Sequence, residues 1–407
     1  MPGTSAIMPP TRPRIGVLFD GLSELTGSGG AERQFSELFS RYAADTEAKF
    51  ELLIFTDRTS VDCLAAVGSP LTSVTTVLLP ETGRLAANFS RSKALANALF
   101  AKQIDLVYVP LLASRHLVLL WYLGRRRRGL RIPIAGNALD CTLAHEYKDF
   151  RAYLRWPPNK SLLLYTLFFL LVPFDGLLTP YRRFRDRFIG LLRRKPLIRL
   201  LNNFVVDIDR FSPAPRKDNL VVWAGRLDAQ KRPLYFVEAV EYLRQLNSHQ
   251  FDKWRFEMYG LGPMRRDVEK AILGAGLAGK LILTSSPGMS AVFSSSRVFV
   301  STQDFENVSS MALLEAMSAG NAVVVRPVGQ TSEWIRSGEN GVVPELDTPY
   351  GLAEALAALL SDDNSIVRFS KANRAEVLAS QRFELIRRSL DDFWLALIGR
   401  ARGRAIA

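Results

Sequence analysis

Two cations, Arg226 and Lys231, stand five residues apart in the stretch AGRLDAQKRP, directly after an apolar run that predicts a β-strand. A helical pattern begins just beyond them. Both side chains are therefore expected at the carboxyl end of a strand and beside the amino end of a helix. Two positive side chains together with unpaired helix N–H groups suit a diphosphate. The alternative is a surface turn that carries ordinary solubilising charges.

A lone carboxylate, Glu315, interrupts the apolar stretch SSMALLEAMSAG. Ser309 or Ser310 is the predicted N-cap of a helix that ends at Gly320. Helical side chains lean toward the amino end, so Glu315 is expected to reach the anion-binding end of its helix and to accept two ribose hydroxyls. The alternative is a solvated helix face, which the apolar neighbours of Glu315 make hard to find.

Short apolar runs alternate with helical patterns in both halves of the chain, which predicts parallel sheets covered by helices. The first half offers the strands RIGVLFD, FELLIFT, TTVLLP, IDLVYVP and RIPIAGN, and the glycine loop GSGGAER follows the first of them. The second half offers NLVVWAG, WRFEMYG, KLILT, RVFVST and AVVVRP. The predicted fold class is α/β, with two doubly wound Rossmann-like domains that face a central cleft.

The composition excludes several classes of protein. The chain has 407 residues, 48% of them hydrophobic, with two cysteines and three histidines. These numbers predict a globular protein of a reducing cytoplasm, without a disulfide framework or a His-rich metal site. The Pro-rich residues 1–13 are predicted to be a disordered tail and not a signal peptide. The apolar run 161–174 is shorter than the roughly 20 residues that span a bilayer, so no transmembrane helix is expected.

The net charge of +13 is concentrated in one region. Residues 121–200 hold 17 Lys and Arg against 5 Asp and Glu. The basic stretches of this region lie on both sides of the longest apolar run. A basic segment interleaved with Leu, Phe and Tyr suits an anionic membrane surface. The alternative is a solvated basic face beside a buried helix. Nucleic acid is not predicted as a partner, because no nucleic-acid motif accompanies the charge.

Five stretches, in this order and spacing, resemble the retaining GT-B glycosyltransferases of family 4: AGRLDAQKRP, YGLGP, FENVSSMALLEAMSAGNAVVV, PVGQTSEWI and SGENGVV. The resemblance implies that Arg226 and Lys231 bind the diphosphate of a nucleotide sugar and that Glu315 holds its ribose. The resemblance also implies that Gly29 and Gly30 of the amino-terminal glycine loop pack near the donor phosphates and the acceptor. The further candidates for donor binding are Gly262, at a tight glycine turn, and Ser309, Ser310 and Met311, at the start of the helix.

The chain departs from the family pattern at two places. The first glutamate of the family motif matches Asn307, with Glu306 one residue earlier, so either residue is a candidate to face the donor sugar. The family's His-Asp pair reads Leu139-Asp140 here. The remaining candidates for a catalytic role are Asn137, Asp140 and His145.

The resemblance implies a retaining, metal-independent transfer of a sugar from a UDP- or GDP-linked donor, without a further cofactor, to a glycan or lipid-linked acceptor. The D-x-D stretch at 207–209 is interpreted as structural. Residues 14–205 are assigned to the acceptor domain, 206–385 to the donor domain, and 386–407 to a helix that packs back on the amino-terminal domain. The basic region implies that the protein lies at the inner face of the membrane. The expected process is the synthesis of a cell-surface polysaccharide or a glycolipid.

Three alternatives remain beside this function. A catalytically inactive relative would bind nucleotide sugar or membrane without turnover, and an epimerase would convert the donor with no acceptor present. A nicotinamide-dependent oxidoreductase is disfavoured, since GSGGAER is not a proper G-x-G-x-x-G and no acidic residue follows at the expected distance.

Overall fold

The computed structural model describes the chain in segments: residues 12–19, 30–66, 70–79, 85–111, 132–138, 174–182, 185–186, 195–202, 204–285, 288–304 and 310–406. Two compact units are present. The amino-terminal unit consists of residues 1–201 and 387–407, and the carboxy-terminal unit consists of residues 202–386. The acceptor and donor roles assigned to the two predicted domain ranges stay predictions.

A parallel sheet forms the centre of the amino-terminal unit. Its strands are β1 (Arg14–Leu18), β2 (Glu51–Asp57), β3 (Thr75–Leu79), β4 (Leu106–Val109), β5 (Ile134–Asn137), β6 (Gly176–Thr179) and β7 (Leu197–Leu200). Their order in the sheet is β3-β2-β1-β4-β5-β6-β7. Strands β2, β4 and β5 are almost entirely buried, because apolar runs without alternation suit a sheet that is covered on both faces. The five predicted strands are confirmed, and the short strands β6 and β7 were not predicted.

Helices connect several of these strands. Helix α1 (Gly30–Ala44) follows the glycine loop, α2 (Arg58–Ala66) follows β2, and α3 (Leu85–Ala101) precedes β4. Helix α1 packs Phe35 and Phe39 into the core, where the two rings stack with centroids 5.8 Å apart. The strand-loop-helix order predicted for the start of the chain is thus present, although the loop residues 20–29, including Gly29, lie outside the described residues.

The carboxy-terminal unit contains a second parallel sheet. Its strands are β8 (Leu220–Ala224), β9 (Arg255–Tyr259), β10 (Leu281–Thr284), β11 (Val298–Ser301) and β12 (Ala322–Val325), in the order β10-β9-β8-β11-β12. The helices are α4 (Pro233–Leu246), α5 (Ser248–Lys253), α6 (Arg265–Gly274), α7 (Met289–Ser295), α8 (Met311–Ser318), α9 (Thr331–Trp334), α10 (Pro349–Leu360) and α11 (Asp363–Ser380). Two doubly wound, Rossmann-like sheets of α/β character are therefore confirmed.

Helix α12 (Phe383–Ile406) ends the described chain. From Arg387 onward it belongs to the amino-terminal unit. Trp394 is fully buried there, and its ring contacts Tyr42, Phe50 and Tyr108 at centroid distances of 5.4 to 5.7 Å. Among the described residues, no helix combines the length and the apolarity that a bilayer crossing requires.

Candidate functional site

The strand order of the carboxy-terminal sheet places a ligand-binding position at one edge. Going outward from β8, the chain first builds β9 and β10 on one side and then β11 and β12 on the other. Between β8 and β11 the order therefore reverses. Open parallel sheets bind ligands in the crevice outside the carboxyl ends of the strands at such a reversal. The sequence places Arg226 and Lys231 after β8, and helix α8 with Glu315 after β11, at this same edge.

The loop after β8 (residues 225–232, here called the cation loop) holds both predicted diphosphate ligands. The side chain of Arg226 is half exposed, and it contacts Asp228 at 3.2 Å and Gln230 at 3.0 Å. The ammonium group of Lys231 donates a hydrogen bond to the side-chain oxygen of Gln303, just beyond β11. The Lys231 N–H also donates to the carboxylate of Asp228 at 3.0 Å. The structure thus directs Lys231 toward the β8–β11 position.

Helix α4 begins directly after the cation loop. Arg232 precedes it in a left-handed conformation with φ 48°, and Pro233 occupies the first helical position, where its missing N–H costs nothing. The left-handed residue turns the chain sharply from the loop into the helix. The predicted placement of both cations between a strand end and a helix start is therefore confirmed.

Three consecutive residues, Thr302, Gln303 and Asp304, here called the bridge segment, bind the cation loop to the end of β11. The Thr302 hydroxyl accepts from the indole N–H of Trp223 at 2.7 Å and donates to the carbonyl of Lys231 at 2.8 Å. The Asp304 N–H donates to the carbonyl of Gln230 at 2.9 Å. The backbone that carries Lys231 is consequently held on both sides of the lysine.

The predicted glycine turn YGLGP packs against the cation loop. A Cβ atom at Gly260 would lie 2.0 Å from the carbonyl oxygen of Gly225, and one at Gly262 would lie 2.5 Å from that of Leu227. The Leu227 N–H donates to the carbonyl of Leu261 at 2.9 Å. Glycine is thus required here because two backbones touch. The donor-binding role given to Gly262 stays a prediction beside this packing role.

Helix α8 presents its amino end at the edge of the sheet to which β11 leads. Ser310 is its N-cap, as predicted, and it makes no side-chain capping hydrogen bond. Met311 is the first helical residue, so its N–H is one of the N–H groups that lack an intrahelical acceptor. Gly320 follows the helix at φ 68°, which confirms the predicted helix end.

Glu315 lies in the middle of α8 and is partly buried, while Leu313, Leu314, Ala316 and Met317 are fully buried around it. The helix is thus embedded on most sides, as the apolar sequence indicated. The partial exposure of the carboxylate leaves both interpretations open, a ribose ligand or a polar position on a narrow accessible face. Its role in donor binding stays a prediction.

The amino-terminal unit contributes one described catalytic candidate. Asn137 is the last residue of β5 and is buried. Its side-chain oxygen accepts a hydrogen bond from the hydroxyl of Tyr108 at 2.9 Å, and its amide nitrogen is buried without a hydrogen-bond partner among the described residues. Gly30 is the first residue of α1. Glu306, Asn307, Ser309, Asp140, His145 and Gly29 lie outside the described residues.

A buried charged cluster that no sequence motif indicated lies next to the bridge segment. Arg326, the residue after β12, has a 4% exposed side chain and forms ion pairs with Asp304 and Asp347, both at 2.8 Å. Its guanidinium lies 4.7 Å above the ring of Tyr235, and that of Arg232 lies 5.0 Å from the same ring. The available signal was a cation placed directly after the purely apolar strand AVVV.

The electrostatics of this cluster follow from its burial. Burial alone would lower the pKa of Arg326, but the carboxylates of Asp347 and Asp304 outweigh it and raise that pKa. Burial, and next the negative charge of Asp347, raise the pKa of Tyr235 to about 12. Burial and the hydrogen bond to Glu257 likewise raise the pKa of Tyr259 above its usual range. Because its pKa is raised by the two carboxylates, the guanidinium of Arg326 is permanently charged.

The carboxy-terminal unit contains the part of the chain that matches a known protein family. Residues 218–362 match the family described as Glycosyl transferases group 1. An alpha-D-kanosaminyltransferase of Streptomyces kanamyceticus is 28% identical over 41% of this chain and 42% of its own length. An alpha-1,4-N-acetyl-D-galactosaminyltransferase of Campylobacter jejuni, named for a diNAcBac-PP-undecaprenol glycan, is 22% identical over 38% of this chain and 42% of its own length. The chain thus matches about two fifths of the length of these curated relatives.

Solved structures share the fold over nearly the whole chain. A glycosyltransferase from Rickettsia africae has a TM-score of 0.68 at 12% identity and covers 95% of this chain and 99% of its own. The Anabaena protein HepE in complex with UDP has a TM-score of 0.70 at 14% identity, over 93% of this chain and 98% of its own. The resemblance to group 1 glycosyl transferases and to GT-B structures is confirmed, and the assignment to family 4 stays a prediction.

Proposed function

We propose that this protein is a retaining glycosyltransferase that transfers a sugar from a nucleoside-diphosphate donor to a glycan or lipid-linked acceptor. The observation that carries the proposal is that Arg226, Lys231 and helix α8 follow strands β8 and β11 at the edge of the sheet where the strand order reverses. The match of residues 218–362 to group 1 glycosyl transferases supports it. The complex of HepE with UDP favours a uridine donor over a guanosine donor.

The proposed reaction forms the new bond on the face that the leaving group vacates. The bond between the anomeric carbon and the diphosphate oxygen breaks, and the acceptor oxygen bonds to that carbon. The acceptor proton passes to a departing phosphate oxygen. The protein mainly orients the reactants and stabilises the negative charge that develops on the diphosphate. Arg226, Lys231 and the N–H groups of α8 provide that stabilisation, and Glu315 orients the ribose.

The proposed acceptor follows from the charge of one region and from the name of one relative. The net positive charge of residues 121–200 and the undecaprenol-linked glycan in the name of the Campylobacter relative both favour a lipid-linked acceptor at the inner face of the membrane. Liposome sedimentation at low salt tests the attachment. Binding to vesicles that contain anionic lipid, and not to neutral ones, is expected, and equal recovery in both supernatants would refute it.

A transfer assay tests the central proposal. A panel of UDP- and GDP-sugars is first screened for those that raise the melting temperature, and each stabilising donor is then incubated with membrane lipid extract or glycan acceptors. We expect an acceptor-dependent product with the donor's anomeric configuration, and unchanged turnover in EDTA because the cations of the site take the role of a metal.

The departure from the family pattern at Asn307 and Leu139 favours one alternative, a relative that binds nucleotide sugar without turnover. Donor stabilisation without any transferred product would support that alternative. Conversion of the donor with no acceptor present would instead indicate an epimerase.

A further inference from the structure

Arg326 contacts all three residues of the bridge segment. One terminal nitrogen of its guanidinium donates to the carboxylate of Asp304 at 2.8 Å and to the carbonyls of Thr302 and Gln303 at 3.1 and 3.2 Å. The rest of the guanidinium binds Asp347 in a two-pronged pair at 2.8 and 3.0 Å. A buried planar fork of this kind fixes its partners in direction as well as distance.

Each of the three bridge-segment residues that Arg326 contacts also contacts the cation loop. Thr302 donates to the carbonyl of Lys231, Gln303 accepts from the Lys231 ammonium, and the Asp304 N–H donates to the carbonyl of Gln230. The bridge segment therefore lies between Arg326 and Lys231 and contacts both. A shift of the segment would move the ammonium and the carbonyl of Lys231 together.

We propose that Arg326 is a positioning residue. It holds the bridge segment in place, and the bridge segment in turn holds the Lys231 ammonium group where it can bind the donor diphosphate. The inference rests on the proposed function, because it presupposes a nucleotide at the β8–β11 edge. Arg326 itself is enclosed by Asp304, Asp347 and the ring of Tyr235, so it acts through its contacts and not on the ligand. A charge displaced by about an ångström loses much of its value for a preorganised site.

A second, partly buried arginine provides a control at the opposite edge of the same sheet. Arg297 precedes β11, pairs with Asp363 at 2.7 Å, donates to Asn219 at 2.7 Å and lies 5.2 Å from the ring of Trp254. Arg297 thus has the same kinds of partner as Arg326, an aspartate and an aromatic ring. Its position at the amino end of β11 keeps it away from the cation loop.

Isothermal titration of the full-length chain with UDP, and in parallel with GDP, tests the proposal. We expect Arg326→Gln to weaken nucleotide binding about tenfold, the order of one lost hydrogen bond to a charged group. Arg297→Gln should lower the melting temperature without changing nucleotide affinity. A melting curve for each variant separates loss of fold from loss of binding.

A double-variant cycle with Lys231→Ala distinguishes positioning from a general structural effect. If Arg326 acts through Lys231, Arg326→Gln weakens binding in the native chain and causes no further loss when Lys231 is already alanine. Equal losses in both backgrounds, or unchanged affinity in Arg326→Gln, would overturn the inference while leaving the proposed function intact. Absence of UDP and GDP binding by the native chain would overturn both.

Asp347→Asn covers the case in which Arg326→Gln does not fold. This change keeps the size of the side chain and leaves Arg326 in place, but it removes the charge from the two-pronged pair. We expect about threefold weaker UDP binding, again only when Lys231 is present. Native affinity in Asp347→Asn together with an unfolded Arg326→Gln would show that the cluster serves stability alone, against the inference.

Discussion

At the residue scale, Arg226 and Lys231 are held in different ways. Arg226 is half exposed and contacts two side chains of its own loop, so its position depends on local geometry. Lys231 is directed toward Gln303, 72 residues later in the chain, so its position depends on the packing of two strand ends. The two cations should therefore respond differently to changes elsewhere in the unit.

Removal of either cation should impair transfer. We expect Arg226→Ala and Lys231→Ala each to lower kcat/KM by about 10² to 10³, the range seen when one preorganised charge-stabilising donor is lost. Steady-state kinetics with the donor identified in the stabilisation screen measures the effect. Arg265→Ala is the control, since Arg265 pairs with Glu269 on its own helix α6 and with no other carboxylate among the described residues. A loss equal to that of the control would refute the diphosphate role.

The raised pKa of the Tyr235 hydroxyl predicts that the free energy of unfolding depends on pH. Its pKa is about 12 in the folded state and 10.0 in the unfolded state, so the folded protein binds more protons between these values. The stability contributed by the phenol is therefore complete below about pH 10 and is lost as the pH rises toward 12, by at most about 1.4 kcal/mol per pH unit.

Urea unfolding of the native chain and of Tyr235→Phe, from pH 8.5 to 11, measures this contribution. The variant lacks the hydrogen bond to Asp347 and should be less stable by about 1 kcal/mol below pH 10. We expect the difference between the two proteins to shrink at higher pH. A constant difference over the whole range would contradict the assignment of the raised pKa to Tyr235.

At the element scale, the orientation of α8 is fixed at its carboxyl end. The ammonium group of Lys217 donates to the carbonyls of Ala319 and Gly320 after α8 and of Ser296 after α7, at 2.7 to 2.8 Å. Arg374 on α11 donates to the carbonyl of Ser318 at 2.7 Å. Burial lowers the pKa of Lys217 to about 7, and in its protonated form it complements the negative end of the helix dipole together with Arg374. The N–H groups at the opposite, amino end are the ones proposed to bind the donor diphosphate.

The contact between the loops after β8 and β9 predicts a strong effect at Gly260. Gly260→Ala would place a methyl group 2.0 Å from the carbonyl oxygen of Gly225, so the cation loop must shift. We expect a loss of about 1 to 3 kcal/mol in the free energy of unfolding, together with weaker nucleotide binding. Denaturant unfolding and UDP titration measure both quantities.

Gly274→Ala is the matched control for Gly260→Ala. No atom lies within 4 Å of a Cβ at Gly274, which is the last residue of helix α6. Because alanine favours the helix over glycine, this change should leave stability unchanged or raise it by up to about 1 kcal/mol. Equal effects of the two substitutions would show that the loop contact is unimportant.

At the scale of the whole molecule, the end of the chain completes the core of the amino-terminal unit. Trp394 is buried among three aromatic rings, and Arg387, a residue with a 4% exposed side chain, pairs with Asp45, Glu47 and Asp391. A Cβ at Gly176 on β6 would lie 2.6 Å from Leu397 and 2.7 Å from Phe393, so α12 lies directly on the sheet. Glu47 and Arg387, 340 positions apart in the chain, thus belong to one unit.

This packing predicts that the end of the chain is needed for stability. We expect Trp394→Ala to lower the free energy of unfolding by about 3 to 5 kcal/mol, the usual cost of a large-to-small change in a core. The neighbouring Leu395 is 42% exposed, and Leu395→Ala should change stability by less than about 0.5 kcal/mol. Thermal or urea unfolding that gave similar values for both variants would contradict the role of α12 in the core.

The sequence by itself determined the α/β class, ten of the twelve described strands, and the placement of Arg226, Lys231 and Ser310 at element ends. These features are local, since apolar runs, glycine turns and caps are set by neighbouring residues. Strand β6 escaped prediction because it follows closely on the longer apolar run 161–174, and β7 because it is only partly buried at the sheet edge and lacks a purely apolar run.

Tertiary structure alone decided which distant residues meet. Gln303 gave no signal as the partner of Lys231, and Arg326 gave none as the residue that binds Asp304 and Asp347, because each pair depends on strand order and not on spacing along the chain. The reason is physical: a hydrogen bond or an ion pair requires side chains within a few ångströms of each other. Only the packing of β8, β11 and β12 side by side brings these groups that close.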